Sequence, residues 1–353
     1  MTAQSHRAID GRGRIAVWRS VSAQQRLRLW FIPLLGAIAY PALITHFNTT
    51  LTGYRAFGGL SLAVRATLLM LVAGSIPVFA ARALIRAHPD EVMSPVLTRS
   101  LLHLMFAVSP LYTLTLILAS KVGLSQLHTP LWISAWLVIG LALYFRRRNV
   151  VHALGIERPW LRVVHGAAAI LLLFGFLIAH LVNHDLAIWS VNLHRATMEW
   201  LRLWYRSGWV EPALFALLLV MIATGAPMVA QHSRRSTDAF RAIQMATGVY
   251  LALFLCAHLL AVLGARSAGI ETDWVFATGP NGLLDGIGML IPYYIFAVFF
   301  LVLHVGCGLR IVLLKHGVTK ASADKAVYTI GGVGLIVTML MAIAALGAHV
   351  RSS

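Results

Sequence analysis

Apolar residues come in runs of about twenty positions along the whole chain, each bounded by a short polar stretch. The runs lie at roughly 28–45, 62–85, 100–120, 130–145, 162–183, 211–230, 240–264, 288–310 and 327–349. Coiled as helices rising about 1.5 Å per residue, runs of this length cross a hydrocarbon core of about 30 Å. The pattern predicts an all-α polytopic membrane protein of about nine transmembrane helices. The stretch from Arg146 to Trp160, RRRNVVHALGIERPW, is too charged and turn-prone to stay in lipid and divides four spans from five. Three regions are expected: a basic N-terminus over 1–27, a four-helix membrane region over 28–148 and a five-helix membrane domain over 158–350.

Composition sharpens the picture. Of 353 residues, 59% are hydrophobic and 12% charged, against about 25% charged in a soluble domain, which excludes a single water-soluble fold. The formal charge of +17 raises the question of a nucleic-acid partner, and the placement of the basic residues answers it. With the N-terminus inside, the inner segments hold 21 of the 29 Lys and Arg residues, including Arg146, Arg147 and Arg148, and the outer segments eight. The 12 acidic residues divide six and six. The basic excess therefore follows the positive-inside bias of membrane insertion, and no nucleic acid is expected. Residues 1–27 lack an apolar stretch with a small-residue cleavage site, so no cleavable signal is expected. The reading is an integral protein of a bacterial cytoplasmic membrane, N-terminus inside and C-terminus outside, with lipid as its first partner. Cys256 and Cys307 fall in different spans at different depths and read as packing residues.

The first four spans carry few polar groups. His46 and His103 lie near span ends and Arg65 is close enough to an end to snorkel, so anchoring and helix packing suffice there. The second half differs, because an imidazole within lipid needs a hydrogen-bonding partner or a metal. His180 and His258 both come late in spans that run from inside to outside and should meet near the outer side. A flat porphyrin wedged among helices takes two neutral imidazoles from opposite faces and small residues where the ring lies. Gly175 and Ala179 precede His180, and Cys256 and Ala257 precede His258. His304 sits deeper toward the inside, with Gly308 one turn beyond on the same face, which leaves room for a second haem.

The segment RVVHGAAAILLLFGFLIAHLVNH, residues 162–184, resembles the first helix of the membrane cytochrome b subunit of succinate:quinone and quinol:fumarate oxidoreductases. The likeness continues through NLHRATMEWLRLWYRSGWVEP, QMATGVYLALFLCAH and YYIFAVFFLVLHVGCGLR, over roughly 158–350. It implies a five-helix cytochrome b-like bundle that binds haem b and exchanges electrons with quinone. It implies iron ligation by His180 and His258 at an outer haem and by His304 on one side of an inner one. The family's fourth histidine precedes a glycine by four residues, where this chain has Met221 before Gly225. Three arrangements then stay open at the inner site: a haem between Met221 and His304, His165 in place of the absent ligand, or no haem. Arg162 and Arg310 are candidates for pairing with inner propionates, and His165 for a propionate or quinone contact.

The connection from His184 to Glu211 is expected to form an interfacial amphipathic helix. Leu193, Met198, Leu201, Trp204 and Tyr205 make its apolar side. Near the outer haem, His184, Asp185 and Glu199 are candidates for the proton-handling groups that a quinone site requires. The chain has no GxGxxG ahead of a soluble α/β domain and no multiple-cysteine iron–sulfur pattern. Dehydrogenase chemistry would therefore come from separate flavoprotein and iron–sulfur subunits on the cytoplasmic side. The competing reading is a non-enzymatic haem- or quinone-binding sensor or anchoring module, favoured by the extra four helices and the missing fourth ligand. A transporter is a third class, without the paired broken helices and midplane charges that would mark it.

Overall fold

The computed structural model describes residues 5–9, 15–19, 23–86, 95–145, 158–233, 238–279, 288, 290–347 and 349–350. Ser5–Ile9 (β1) and Ile15–Arg19 (β2) pair as a short antiparallel hairpin. The first half continues with helices α1 (Ala23–Phe57), α2 (Leu60–Arg86), α3 (Pro95–Phe106), α4 (Val108–Lys121) and α5 (His128–Phe145). The second half holds α6 (Pro159–Leu186), α7 (Val191–Tyr205), α8 (Val210–His232) and α9 (Ala239–Ser267). It ends with α10 (Trp274–Thr278), α11 (Leu290–Lys315) and α12 (Lys320–Ala345). Eight of these helices are long and apolar enough to cross a membrane, and α3 with α4 makes a ninth crossing if that bent pair is counted as one. The chain is an all-α polytopic membrane protein, with its spans where the apolar runs lie.

Local chemistry explains the irregular points. The third span breaks by 83° between Phe106 and Val108. Pro110 in the first turn of α4 would press its ring on the carbonyl of residue 106, so the helix ends there and restarts in a new direction. Pro41, inside α1, has no N–H to give the carbonyl four residues back, that of Ala37. The indole Nε1–H of Trp132 on α5 donates to that carbonyl at 2.8 Å, which keeps a buried acceptor satisfied. Gly58 and Gly59, at φ +66° and +102°, form the tight reversal from α1 to α2. In α6, residues Leu173–Leu177 form one π-helical turn between two α-helical stretches.

The buried core crosses the division between the two halves. Trp30, Ala37, Tyr40 and Ile44 of α1, Met105 and Phe106 of α3, and Trp132 and Trp136 of α5 pack in one cluster with Tyr250 of α9 and Tyr293 and Phe300 of α11. The α9–α11 pair is also tied by hydrogen bonds, Tyr250 Oη–H to the Tyr293 carbonyl at 3.0 Å and Tyr293 Oη–H to the Phe254 carbonyl at 2.9 Å. On the other side of the second half, α6 packs along α8. The two pairs, α6–α8 and α9–α11, touch each other only sparsely along their length. They are joined near their ends by the Glu211–Arg266 ion pair and by Arg241 reaching His232 Nε2 at 2.6 Å.

Candidate cofactor site

Between the two helix pairs lies a cavity of about 1170 Å³ with a mostly apolar lining, running from Arg162 and Arg241 at one end to Trp274 at the other. A single small-molecule pocket has about 300–1,000 Å³, so this space takes a large ligand or more than one.

Its lining includes imidazoles from both walls. At the Trp274 end, His180 of α6 and His258 of α9 are electrostatic neighbours across the gap. Each stacks on the phenylalanine one turn earlier, His180 on Phe176 at 4.9 Å and His258 on Phe254 at 5.4 Å between ring centroids. Both turns read Phe-Leu-x-Ala-His, and the i, i+4 spacing puts ring over ring. His258 Nδ1 is buried with no hydrogen-bond partner among the described residues. Next to this pair, His184 meets His180 edge-on at 4.7 Å and lies 5.5 Å from His194, which in turn sits 4.8 Å from the Trp274 ring.

Helix α7 closes this end. Ser190 caps it by accepting from Leu193 N–H, and Met198 and Leu201 are buried as its amphipathic pattern predicts. Leu193 and Trp204 point outward instead. The buried polar residue is His194, whose Nδ1 donates to the Asn183 carbonyl at 2.7 Å. Burial holds the His194 imidazole below its ordinary pKa, and Arg202 and Arg195 push the same way against Asp273 and that hydrogen bond. His349 Nδ1 donates to the Ala187 carbonyl at 2.6 Å and fastens residues 349–350 over the turn after α6.

At the other end of the cavity, His165 of α6 and His304 of α11 are likewise electrostatic neighbours. Nδ1 of His165 lies 2.9 Å from Thr224 Oγ1 on α8. Nδ1 of His304 lies 3.0 Å from the Gln244 carbonyl and 3.2 Å from Thr247 Oγ1 on α9. Met221 and Arg162 line the same region, as does Arg241, which donates to Gln244 Oε1 at 2.7 Å. Fifteen residues of α6 separate His165 from His180, about 22 Å of helix, so the four imidazoles form two tiers at well-separated depths.

Several residues singled out by sequence lie elsewhere. Arg310 does not line the cavity: its guanidinium, 3% exposed, bonds Asp324 at 2.6 Å and Asp238 at 3.0 Å and covers the Phe240 ring. Asp185, one residue past His184, is rotated by about 100° of helix off the cavity wall, and its Oδ1 is buried without a partner among the described residues. Glu199 is exposed on α7 and off the cavity, whereas Glu211 lines it. Gly175, Ala179, Cys256 and Ala257 are also off the wall, because residues one, two or five before a histidine fall on other faces of a helix. The small residues that face the cavity include Gly166, Ala169, Gly225, Gly248, Ala252 and Gly308. In the first half, His103 and Arg99 are almost fully buried rather than interfacial, since the bend at Ala107 folds α3 into the core.

The donor set fits a haem. Among the described residues no group of three or more His, Cys, Asp and Glu is arranged to hold a bare metal ion. A porphyrin supplies four nitrogens itself and asks the protein for two axial imidazoles and an apolar slot. The imidazoles on both walls, the apolar lining and the glycines facing the gap meet that demand. No protein-family model, curated protein or solved structure matches the chain. Its functional reading therefore rests on its own residues.

Proposed function

We propose that the chain is a membrane-embedded b-type cytochrome that exchanges electrons between haem and the quinone pool. The observation that carries this reading is the slot between two helix pairs, faced by imidazoles from both walls. In this reading His180 and His258 would hold one haem, and Phe176 and Phe254 fix the planes of the two imidazole rings. A bound haem supplies one-electron redox chemistry. The chain's own residues supply the rest: an apolar slot that limits water, and imidazoles placed to receive protons when a quinol is oxidised beside them. His184 and His194 form that relay toward the Trp274 end, with Asn183 orienting His194. Quinone would reach the slot from lipid along the α6–α8 pair, whose outward faces carry exposed Ile178 and Leu219.

The proposed setting is a bacterial cytoplasmic membrane, N-terminus inside and C-terminus outside, with His165 and His304 in the inner tier. Partner flavoprotein and iron–sulfur subunits on the cytoplasmic side would deliver or withdraw electrons. The test is haem stoichiometry on detergent-purified protein, with a dithionite-reduced minus oxidised spectrum. The reading expects b-type bands in the wild type, and loss of one low-spin component in His180→Ala and in His258→Ala. A purified chain without haem after expression in haem-replete cells overturns it. So does an unchanged haem content in both variants.

A further inference from the structure

The tripeptide Ala-Thr-Gly occurs three times, at 223–225 on α8, at 246–248 on α9 and at 277–279 where α10 ends. The fold sets each of the first two copies against one histidine of the Arg162 end, while Thr278 bonds its own helix at the Trp274 carbonyl. Thr224 meets His165, and Thr247 meets His304, both at Nδ1. Each glycine lies beside the same ring: a Cβ built on Gly225 would be 3.4 Å from His165 Cε1, and one on Gly248 would be 3.0 Å from His304 Cε1.

The hydroxyl protons are already spent. Thr224 Oγ1–H donates to the Val220 carbonyl at 2.6 Å, and Thr247 Oγ1–H to the Ile243 carbonyl at 2.8 Å. Each hydroxyl therefore has only a lone pair to offer its imidazole, and Nδ1 must be the donor. The Gln244 carbonyl, which can only accept, demands the same of His304. Both rings are thus set as the Nδ1–H tautomer, with an unprotonated Nε2 on the edge away from the threonine. Both histidines line the cavity and both threonines stand behind them, off its wall. A neutral imidazole with Nδ1–H fixed by an acceptor and Nε2 free is an iron ligand in waiting.

We infer that His165 and His304 are the axial pair of a second haem, positioned by the twin Ala-Thr-Gly turns of α8 and α9. The inference rests on the haem reading above and resolves its open ligand in favour of His165 over Met221. Arg162 and Arg241 line the cavity at this end, with Arg241 held by Gln244 and His232, so the end is positively charged, as the carboxylates of a porphyrin require.

The test combines haem content per chain with near-infrared magnetic circular dichroism, which separates bis-imidazole from imidazole–thioether iron. Wild-type protein should hold two haems, both bis-imidazole. His165→Ala and His304→Ala should each fall to one haem with the His180–His258 component intact, and Met221→Leu should keep two. Thr224→Val and Thr247→Val should keep the haem and shift the low-spin signal of one component, a change that packing alone would not give. Exogenous imidazole should restore the second haem to His165→Gly. An imidazole–thioether band in the wild type, or loss of a haem in Met221→Leu but not in His165→Ala, overturns the inference. A wild type with one haem that disappears in His258→Ala overturns it too, and leaves the cytochrome reading standing. A wild type without haem sinks both.

Discussion

Three glycine-to-alanine replacements grade the closeness of the histidine contacts. Gly248, Gly225 and Gly264 are all helical, and each gains about 1 kcal/mol of helix propensity on becoming alanine. What differs is the space for the new methyl. At Gly264 nothing lies within 4 Å; at Gly225 the methyl meets His165 Cε1 at 3.4 Å, an ordinary contact; at Gly248 it meets His304 Cε1 at 3.0 Å. His304 cannot step aside freely, since Nδ1 is anchored by the Gln244 carbonyl and Thr247. Overpacking of this kind costs about 1–3 kcal/mol, enough to cancel or reverse the propensity gain. Gly264→Ala and Gly225→Ala should therefore raise thermal stability in detergent, and Gly248→Ala lower it. At ~2–4 °C per kcal/mol the ends of the series should lie several degrees apart. With haem bound, displacing the His304 ring should weaken retention by about 10–100-fold, as other losses of ligand support do. Equal stability for Gly248→Ala and Gly264→Ala would show that His304 is not pressed against α9.

Other predictions follow from single contacts. Arg310→Met should cost about 2–3 kcal/mol, below the usual figure for breaking a buried pair because Asp238 is half exposed, and should leave haem content unchanged; loss of haem would return Arg310 to the cavity. Trp132→Phe should cost about 1–3 kcal/mol by orphaning the Ala37 carbonyl, and adding Pro41→Ala, which restores an N–H four residues on, should recover most of it. Simple additivity in that double-mutant cycle refutes the pairing. His194 is held neutral in the folded protein, so the unfolded chain binds the extra proton as pH falls. Its contribution is complete above the ordinary histidine pKa of about 6.5 and declines below it. His194→Gln should flatten the fall in melting temperature between pH 7.5 and 5.5, and an unchanged slope would mean that other groups set it.

The spans were legible because lipid imposes a length and a composition that no tertiary contact can override. The break at Ala107 also had a sequence signal, Pro110, but hydropathy averages over it. His180, His258 and His304 stood out as titratable residues in apolar runs, and their grouping follows from span direction alone. His165 was harder to place, since a position three residues from Arg162 reads as interfacial. It belongs to the cavity because α6 starts at Pro159 and because Thr224 comes from another helix to meet it. Threonines in apolar helices ordinarily bond their own backbone, so Thr224 and Thr247 carry no individual signal. The recurrence of Ala-Thr-Gly does not single them out either, because a third copy stands at 277–279; Phe-Leu-x-Ala-His, by contrast, ends at His180 and at His258. Arg310 was misplaced for a related reason: snorkelling is the default for a basic residue at a span end, and its two carboxylate partners lie on separate segments.

Helix α9 explains why the first half belongs to the site without lining most of it. Ala246, Tyr250 and Ala257 bury one face of α9 in the core shared with α1, α3 and α4, while Gly248 and His258 face the cavity. The α9–α11 wall is thus backed by protein and cross-linked through Tyr250 and Tyr293. The α6–α8 wall has lipid behind it, and its ties to the other pair near the ends include Glu211–Arg266 and His232–Arg241. Those ties fix the ends of the gap but not its width at the depth of the histidines. A ligand held by one imidazole from each wall would set that width, so binding and the docking of α6–α8 become a single equilibrium. The extra helices would then be the abutment that holds one wall fixed while such a ligand drew the other toward it.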